Sequence, residues 1–194
     1  MSTVPIFADE NWRLPSRGRV GMLSLIVGES AIFTIFVVAY IYYIGRSVTG
    51  PTPQILDVPI LNTVCLLSSS LTIWLAERAI ERGRVRVFGA WWALTILLGM
   101  VFLAGTAIEW THLIADEGFT IRTNLFGTTF YSLVGLHATH VIVGLLGLSL
   151  VMIFTLLGRV GQRHVERIQV LSLYWHFVDV VWVVVFTTVY IVGR

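Results

Sequence analysis

Two histidines three residues apart, His137 and His140, and a second pair at the same spacing, His176 and Asp179, stand inside stretches otherwise apolar enough to cross a bilayer. An imidazole or a carboxyl group in hydrocarbon is costly unless it faces a protein interior or a wet cavity and finds a partner. Residues at i and i+3 share a helix face, so each pair presents two groups to one neighbour. Two kinds of chemistry are then conceivable: ligation of iron or copper, or the holding and passing of a proton. Imidazole and carboxylate suit those metals, and a haem needs one or two axial histidines, but neither spacing is a recognised metal signature. The expected state of these side chains is therefore hydrogen-bonded between helices or to lipid headgroups, with no metal held by this chain. Glu29, in the first apolar stretch, leaves a proton-handling role and a structural hydrogen bond equally open. Glu109 beside Trp110, near the end of the third stretch, reads as an interfacial anchor. Cys65 lies within an apolar run and reads as a small packing residue, so no disulfide or cysteine-based metal site is expected. No Gly-rich phosphate loop, nucleophile elbow or paired catalytic carboxylates occur, and no catalytic residue is expected.

The elements that carry these groups follow from composition. Apolar residues make up 56% of the 194, charged residues 12%, and the mean hydropathy is +0.84, values of a polytopic membrane protein rather than a soluble domain. About 20 apolar residues cross the hydrocarbon core as a helix, and five stretches qualify: roughly Val20–Tyr43, Val58–Ala76, Val87–Trp110, Leu125–Gly158 and Ile168–Val192. An open sheet would leave unpaired backbone in lipid, and the runs lack the alternation of a transmembrane barrel. The expected fold is all-α, a five-helix transmembrane domain over 20–194 preceded by a short segment, 1–19. The fourth stretch exceeds the bilayer thickness and must tilt or protrude. The first is too long for a cleaved signal peptide.

The thirteen basic side chains are all arginine. Those before the first stretch (Arg13, Arg17, Arg19), between the second and third (Arg78, Arg82, Arg84, Arg86) and between the fourth and fifth (Arg159, Arg163, Arg167) fall on one side; Arg46, Arg122 and Arg194 fall on the other. The positive-inside rule then predicts a cytoplasmic N-terminus and an external C-terminus, and the basic balance needs no nucleic-acid partner. Pro51, Pro53 and Pro59 punctuate the loop before the second helix. By depth, Glu29 lies about 14 Å from the inner end, Asp179 about eleven residues in with His176 a turn shallower, and His137 and His140 roughly 18 and 22 Å from the outer end. Five ionisable groups in one slab predict a shared polar interior. Ser68, Ser69, Ser70 and Thr72 on the second helix, and Gly127, Gly135, Thr139 and Gly144 on the fourth, read as close-packing faces and nothing more.

The segment Tyr174, Trp175, His176, Phe177, Val178, Asp179, Val180, Val181, Trp182 resembles the last helix of subunit III of haem-copper respiratory oxidases. Other stretches resemble that family in the same order. They are Gly28, Glu29, Ser30 and Phe33; Val58, Pro59, Leu61, Asn62 and Thr63; Glu109 with Trp110; and Gly127, Thr129, Phe130, Gly135, His137, His140, Val141 and Gly144.

The resemblance implies a bacterial inner-membrane accessory subunit that binds no haem or copper itself. Those groups sit in the partner subunits I and II, within a proton-pumping terminal oxidase that can join a respiratory supercomplex. Family members hold phospholipid in a cleft and support proton uptake and durability of subunit I; Glu29 and His140 match positions beside that cleft. Quinol oxidases and nitric oxide reductases have related subunits with this five-helix pattern, and a small proton-coupled transporter is a rival from another class, for which no inverted repeat is visible. Three positions depart from the family pattern: Thr106 stands where glutamine is usual, Ala138 where glycine is usual, and Gln169 where glutamate is usual. The last makes a proton role for the inner end of the fifth helix unexpected.

Overall fold

A computed structural model describes residues 16–46 and 55–193, and its regular structure is helical throughout. Five helices follow in chain order: α1 (Arg17–Tyr43), α2 (Ile60–Glu81), α3 (Val85–Ala115), α4 (Leu125–Leu156) and α5 (Val165–Phe186), which continues as a π-helical segment over Thr187–Val192. All are long and apolar enough to cross a membrane, and the chain is a multi-pass membrane protein. Arg13, Pro51, Pro53, Arg194 and most of the N-terminal segment fall outside the described residues.

The helices outrun their apolar stretches where polar side chains can reach water. α2 continues from Ala76 to Glu81 and α3 from Trp110 to Ala115. At 32 residues, α4 is about 48 Å long and exceeds the roughly 30 Å hydrocarbon core, as its sequence requires. Helix ends are set locally. Ser16 accepts from the Arg19 N–H at 3.4 Å, and Asn124 from the Gly127 N–H at 2.8 Å, satisfying otherwise orphaned donors. At the tight α2–α3 turn Gly83 takes φ +71°, which places the Arg84 N–H 2.9 Å from the Ala79 carbonyl. That left-handed cap excludes side chains with a Cβ at little strain.

α2 and α3 form a hairpin; α4 packs on α3 and α5, α5 packs on α2, and α1 lies across α4 and α5. Four helices meet around Trp175. Its indole N–H donates to Ser69 Oγ on α2 at 2.8 Å, while its rings lie against Gly99 on α3 and Gly144 on α4. A Cβ at either glycine would come within 2.9 Å of the indole, so both positions are small because the tryptophan fills the space. Trp92 donates to the Leu148 carbonyl at 2.9 Å and Trp182 to Thr63 Oγ1 at 3.2 Å, so the three fully buried indoles each satisfy their one donor.

Candidate functional site

α1 brings Glu29 against α4, where Glu29 Oε2 lies 3.1 Å from His140 Nε2. The other ring nitrogen, Nδ1, is 2.8 Å from the Leu136 carbonyl one turn back. A carbonyl only accepts, so Nδ1 carries a proton. The contact between Nε2 and Oε2 then holds one further proton. It resides on the imidazole, giving an ion pair, or on the carboxyl, giving a neutral pair. Either way the pair is neutral overall, which is how two ionisable groups persist at this depth. Tyr174 on α5 donates to the His140 backbone carbonyl at 3.2 Å, and Phe33 packs on the imidazole with ring centroids 4.9 Å apart. The side chains remain 13% and 24% exposed, so the pair opens on the outside of the bundle.

α2 and α5 build a second centre. Ser70 Oγ donates to Asp179 Oδ2 and lies 3.0 Å from His176 Nδ1. With its own proton committed to the carboxylate, the hydroxyl oxygen accepts from Nδ1–H. The serine thus couples imidazole and carboxylate, which share a helix face but do not bond each other directly. Asp179 is buried and its Oδ1 has no partner among the described residues.

His137 joins neither centre. It is wholly buried, with ring centroids of Trp182 at 5.0 Å, Phe102 at 5.8 Å and Phe33 at 6.5 Å, and neither nitrogen has a hydrogen-bond partner among the described residues. The slab of ionisable groups is therefore divided, where a shared polar interior is what depth alone predicts. Depth gives the level of a group but not the azimuth of its helix, and the azimuths send Glu29 to α4 and Asp179 to α2.

Glu109 ties α3 to the π-helical end of α5, accepting from Tyr190 OH at 2.9 Å, while the Trp110 ring packs edge-on against Tyr131 at 5.2 Å. At the arginine-rich end the Gln169 amide spans two charges. Its Oε1 accepts from Arg19 Nη2 at 2.7 Å and its Nε2 donates to Glu81 Oε1 at 2.8 Å, linking α1, α5 and α2. Sequence reasoning missed both Ser70 and this bridge. Ser69, Ser70 and Thr72 make directed bonds, the last to Thr95 Oγ1 at 2.7 Å, where close packing alone is the simpler reading of a small-residue run. Gly144 does serve close packing. Among the described residues no group of three histidine, cysteine or acidic side chains is disposed to hold a metal ion.

Residues 14–194 match the family described as cytochrome c oxidase subunit III. The chain belongs to that family. It is 35% identical to cytochrome c oxidase subunit 3 of Alkalihalophilus pseudofirmus over 177 residues, 90% of this chain and 86% of the relative. It is 40% identical to the Corynebacterium diphtheriae protein of that name over 139 residues, 71% of this chain and 67% of the relative. Cytochrome bo(3) ubiquinol oxidase subunit 3 of Pseudomonas aeruginosa is also similar, at 34% over 89% of this chain and 84% of the relative. As a subunit III of a haem-copper oxidase, the chain belongs with partner subunits in an oxygen-reducing respiratory complex.

Proposed function

We propose that this chain is the non-catalytic third subunit of a proton-pumping cytochrome c oxidase of a bacterial inner membrane, with its arginine-rich end in the cytoplasm. In this reading it packs on subunit I beside subunit II, leaves haem and copper to those partners, holds phospholipid against its outer faces and supports proton uptake. The Glu29–His140 contact carries the reading. It holds one proton that can sit on either residue without changing the charge of the pair, and it opens on the outside of the bundle, where lipid headgroups or a partner can exchange with it. The arginine asymmetry supports the orientation. Relatives named cytochrome c oxidase favour that electron donor; the similarity to a ubiquinol oxidase subunit supports quinol as the second reading. Copurification with a subunit bearing a binuclear copper domain separates the two.

The test is a complex stripped of this chain. Oxygen reduction should begin at a normal rate, then decay faster over successive turnovers, with slower proton uptake at higher pH. Losing a five-helix flank exposes subunit I, and losing its ionisable groups removes a local proton supply. Immediate and complete loss of activity with the metals of subunit I still in place would assign this chain a direct part in catalysis.

A further inference from the structure

The two polar centres differ by one proton. The Glu29–His140 contact already holds the proton that makes it neutral. In the second centre Ser70 Oγ–H donates to Asp179 Oδ2 and accepts from His176 Nδ1–H, so a carboxylate, a hydroxyl and a neutral imidazole together carry one negative charge. No cation offsets it. Asp179 is buried and makes no ion pair among the described residues, and every described arginine stands near a helix end or in a connection. The other ionisable groups at this depth are engaged or caged: Glu29 on α1 with His140 on α4, and His137 among aromatic rings. Glu77 on α2 lies two turns from Ser70 toward the arginine-rich end. A buried charge without a counterion is costly, and one proton removes it.

We propose that Ser70, His176 and Asp179 form a proton-binding centre that loads at His176 Nε2 and stores the proton on Asp179. The entry atom is open. The ring is only part-buried, and its Nε2 has no partner among the described residues and is not enclosed, in contrast to both nitrogens of His137. α1 and α2 each pack on α5 and not appreciably on one another, which leaves a groove along α5 between them. Gln169, at the exposed arginine-rich end, shares a face of α5 with His176 at a distance of about 10 Å along the helix, so water entering there is the proton source. The relay balances without any heavy atom changing partners. A proton from water joins Nε2, the Nδ1 proton passes to Ser70 Oγ, and the Ser70 proton passes to Asp179 Oδ2. The loaded centre is an imidazole bearing Nε2–H, a hydroxyl donating to Nδ1 and a carboxylic acid donating to Oγ. Both hydrogen bonds are reversed and no net charge remains. This deepens the proton-supply part of the proposed function, and rests on that reading for the use of the proton but not for its binding.

Infrared spectroscopy of the intact complex in membranes, followed after transfer from H2O to D2O, tests this. The expected signal is one protonated-carboxyl C=O band that shifts on deuteration and is missing from Asp179→Asn. Its exchange should slow by about 100-fold in Ser70→Ala, which cuts the relay, and return to the parent rate in Ser70→Thr, which keeps the hydroxyl. Because Ser70→Ala also loosens the α2–α5 contact, His176→Gln is the second probe. Its amide still bonds Ser70 but takes up no proton, so exchange should slow as in Ser70→Ala, whereas a merely structural imidazole would leave the rate unchanged. A spectrum in which Asp179→Asn removes no protonated-carboxyl band would overturn the proposal, as would parent-rate exchange in His176→Gln. The proposal and the supply reading fail separately, since exchange is read on this one carboxyl whether or not removing the chain alters proton uptake by the complex.

Discussion

α1 and α5 are both long apolar helices that carry an ionisable group near mid-bilayer, yet they are built into the molecule in opposite ways. Among the described residues of α1 only Phe33 and Tyr40 are buried, whereas α5 buries ten over Val165–Phe186. Along α5, Trp175, Asp179 and Trp182 bond α2, while Tyr174 bonds α4. α1 is held at Glu29 to His140, through Phe33, and by Arg19 to Gln169. In hydrocarbon the hydrophobic effect does not drive helices together, so association depends on packing and on the polar contacts each helix makes. An α5 group is then first a piece of architecture, and an α1 group is freer to act.

Trp175→Ala should break this contrast most visibly. It removes the body that Gly99, Gly144 and Ser69 are shaped around, leaving a cavity where four helices meet. A loss of about 3–5 kcal/mol is expected from truncating a fully buried tryptophan. Titration with a denaturing detergent, followed by helical signal, should show the whole bundle loosening. Truncating Phe33 to Ala should loosen α1 alone. If Phe33→Ala cost as much as Trp175→Ala, the division between an anchored α5 and a lightly docked α1 would fail.

The two polar centres give a sharper comparison. Ser70→Ala leaves Asp179 without its donor and His176 without its acceptor, so about 1–3 kcal/mol of stability should be lost. Glu29→Gln keeps size and much hydrogen-bonding capacity while abolishing ionisation, so it should leave folding nearly unchanged and slow proton uptake by the complex. Detergent stability and single-turnover proton uptake, measured on both variants, decide the matter. Normal uptake in Glu29→Gln would make that side chain purely structural, and unchanged stability in Ser70→Ala would mean that Asp179 finds another donor.

How much of this was legible in the sequence depends on whether a signal lies along the chain or around it. Hydropathy runs along the chain, and five spans follow from it because each must cover a fixed thickness of hydrocarbon. The depth of Glu29 and Asp179 is readable for the same reason. Their partners are not, since pairing depends on the rotation and neighbour order of helices, to which an apolar sequence gives little direction. Ser70 shows the difficulty: of the two serines before it, Ser68 is exposed and Ser69 accepts from Trp175, and only the three-dimensional order gives Ser70 the carboxylate. Gln169 shows the reverse case. As a departure from the family pattern it reads as a lost carboxylate, but in the structure it is an amide whose two ends fit two opposite charges.

Gln169→Glu gives the smallest expected effect and tests how α5 is tied to α2 at the arginine-rich end. The glutamate would still accept from Arg19. It would lose the N–H that reaches Glu81 Oε1 at 2.8 Å and set two carboxylates against each other there. Because the bridge is solvent-exposed, the cost should be only about 0.5–1 kcal/mol and should shrink as salt is raised. Glu81→Gln in the same chain should recover most of it, since an amide at 81 can donate to the new carboxylate. A double-mutant cycle on detergent stability at low and high salt measures this coupling. A cost that is independent of salt and not relieved by Glu81→Gln would show that Gln169 joins α5 to α2 through packing rather than through this hydrogen bond.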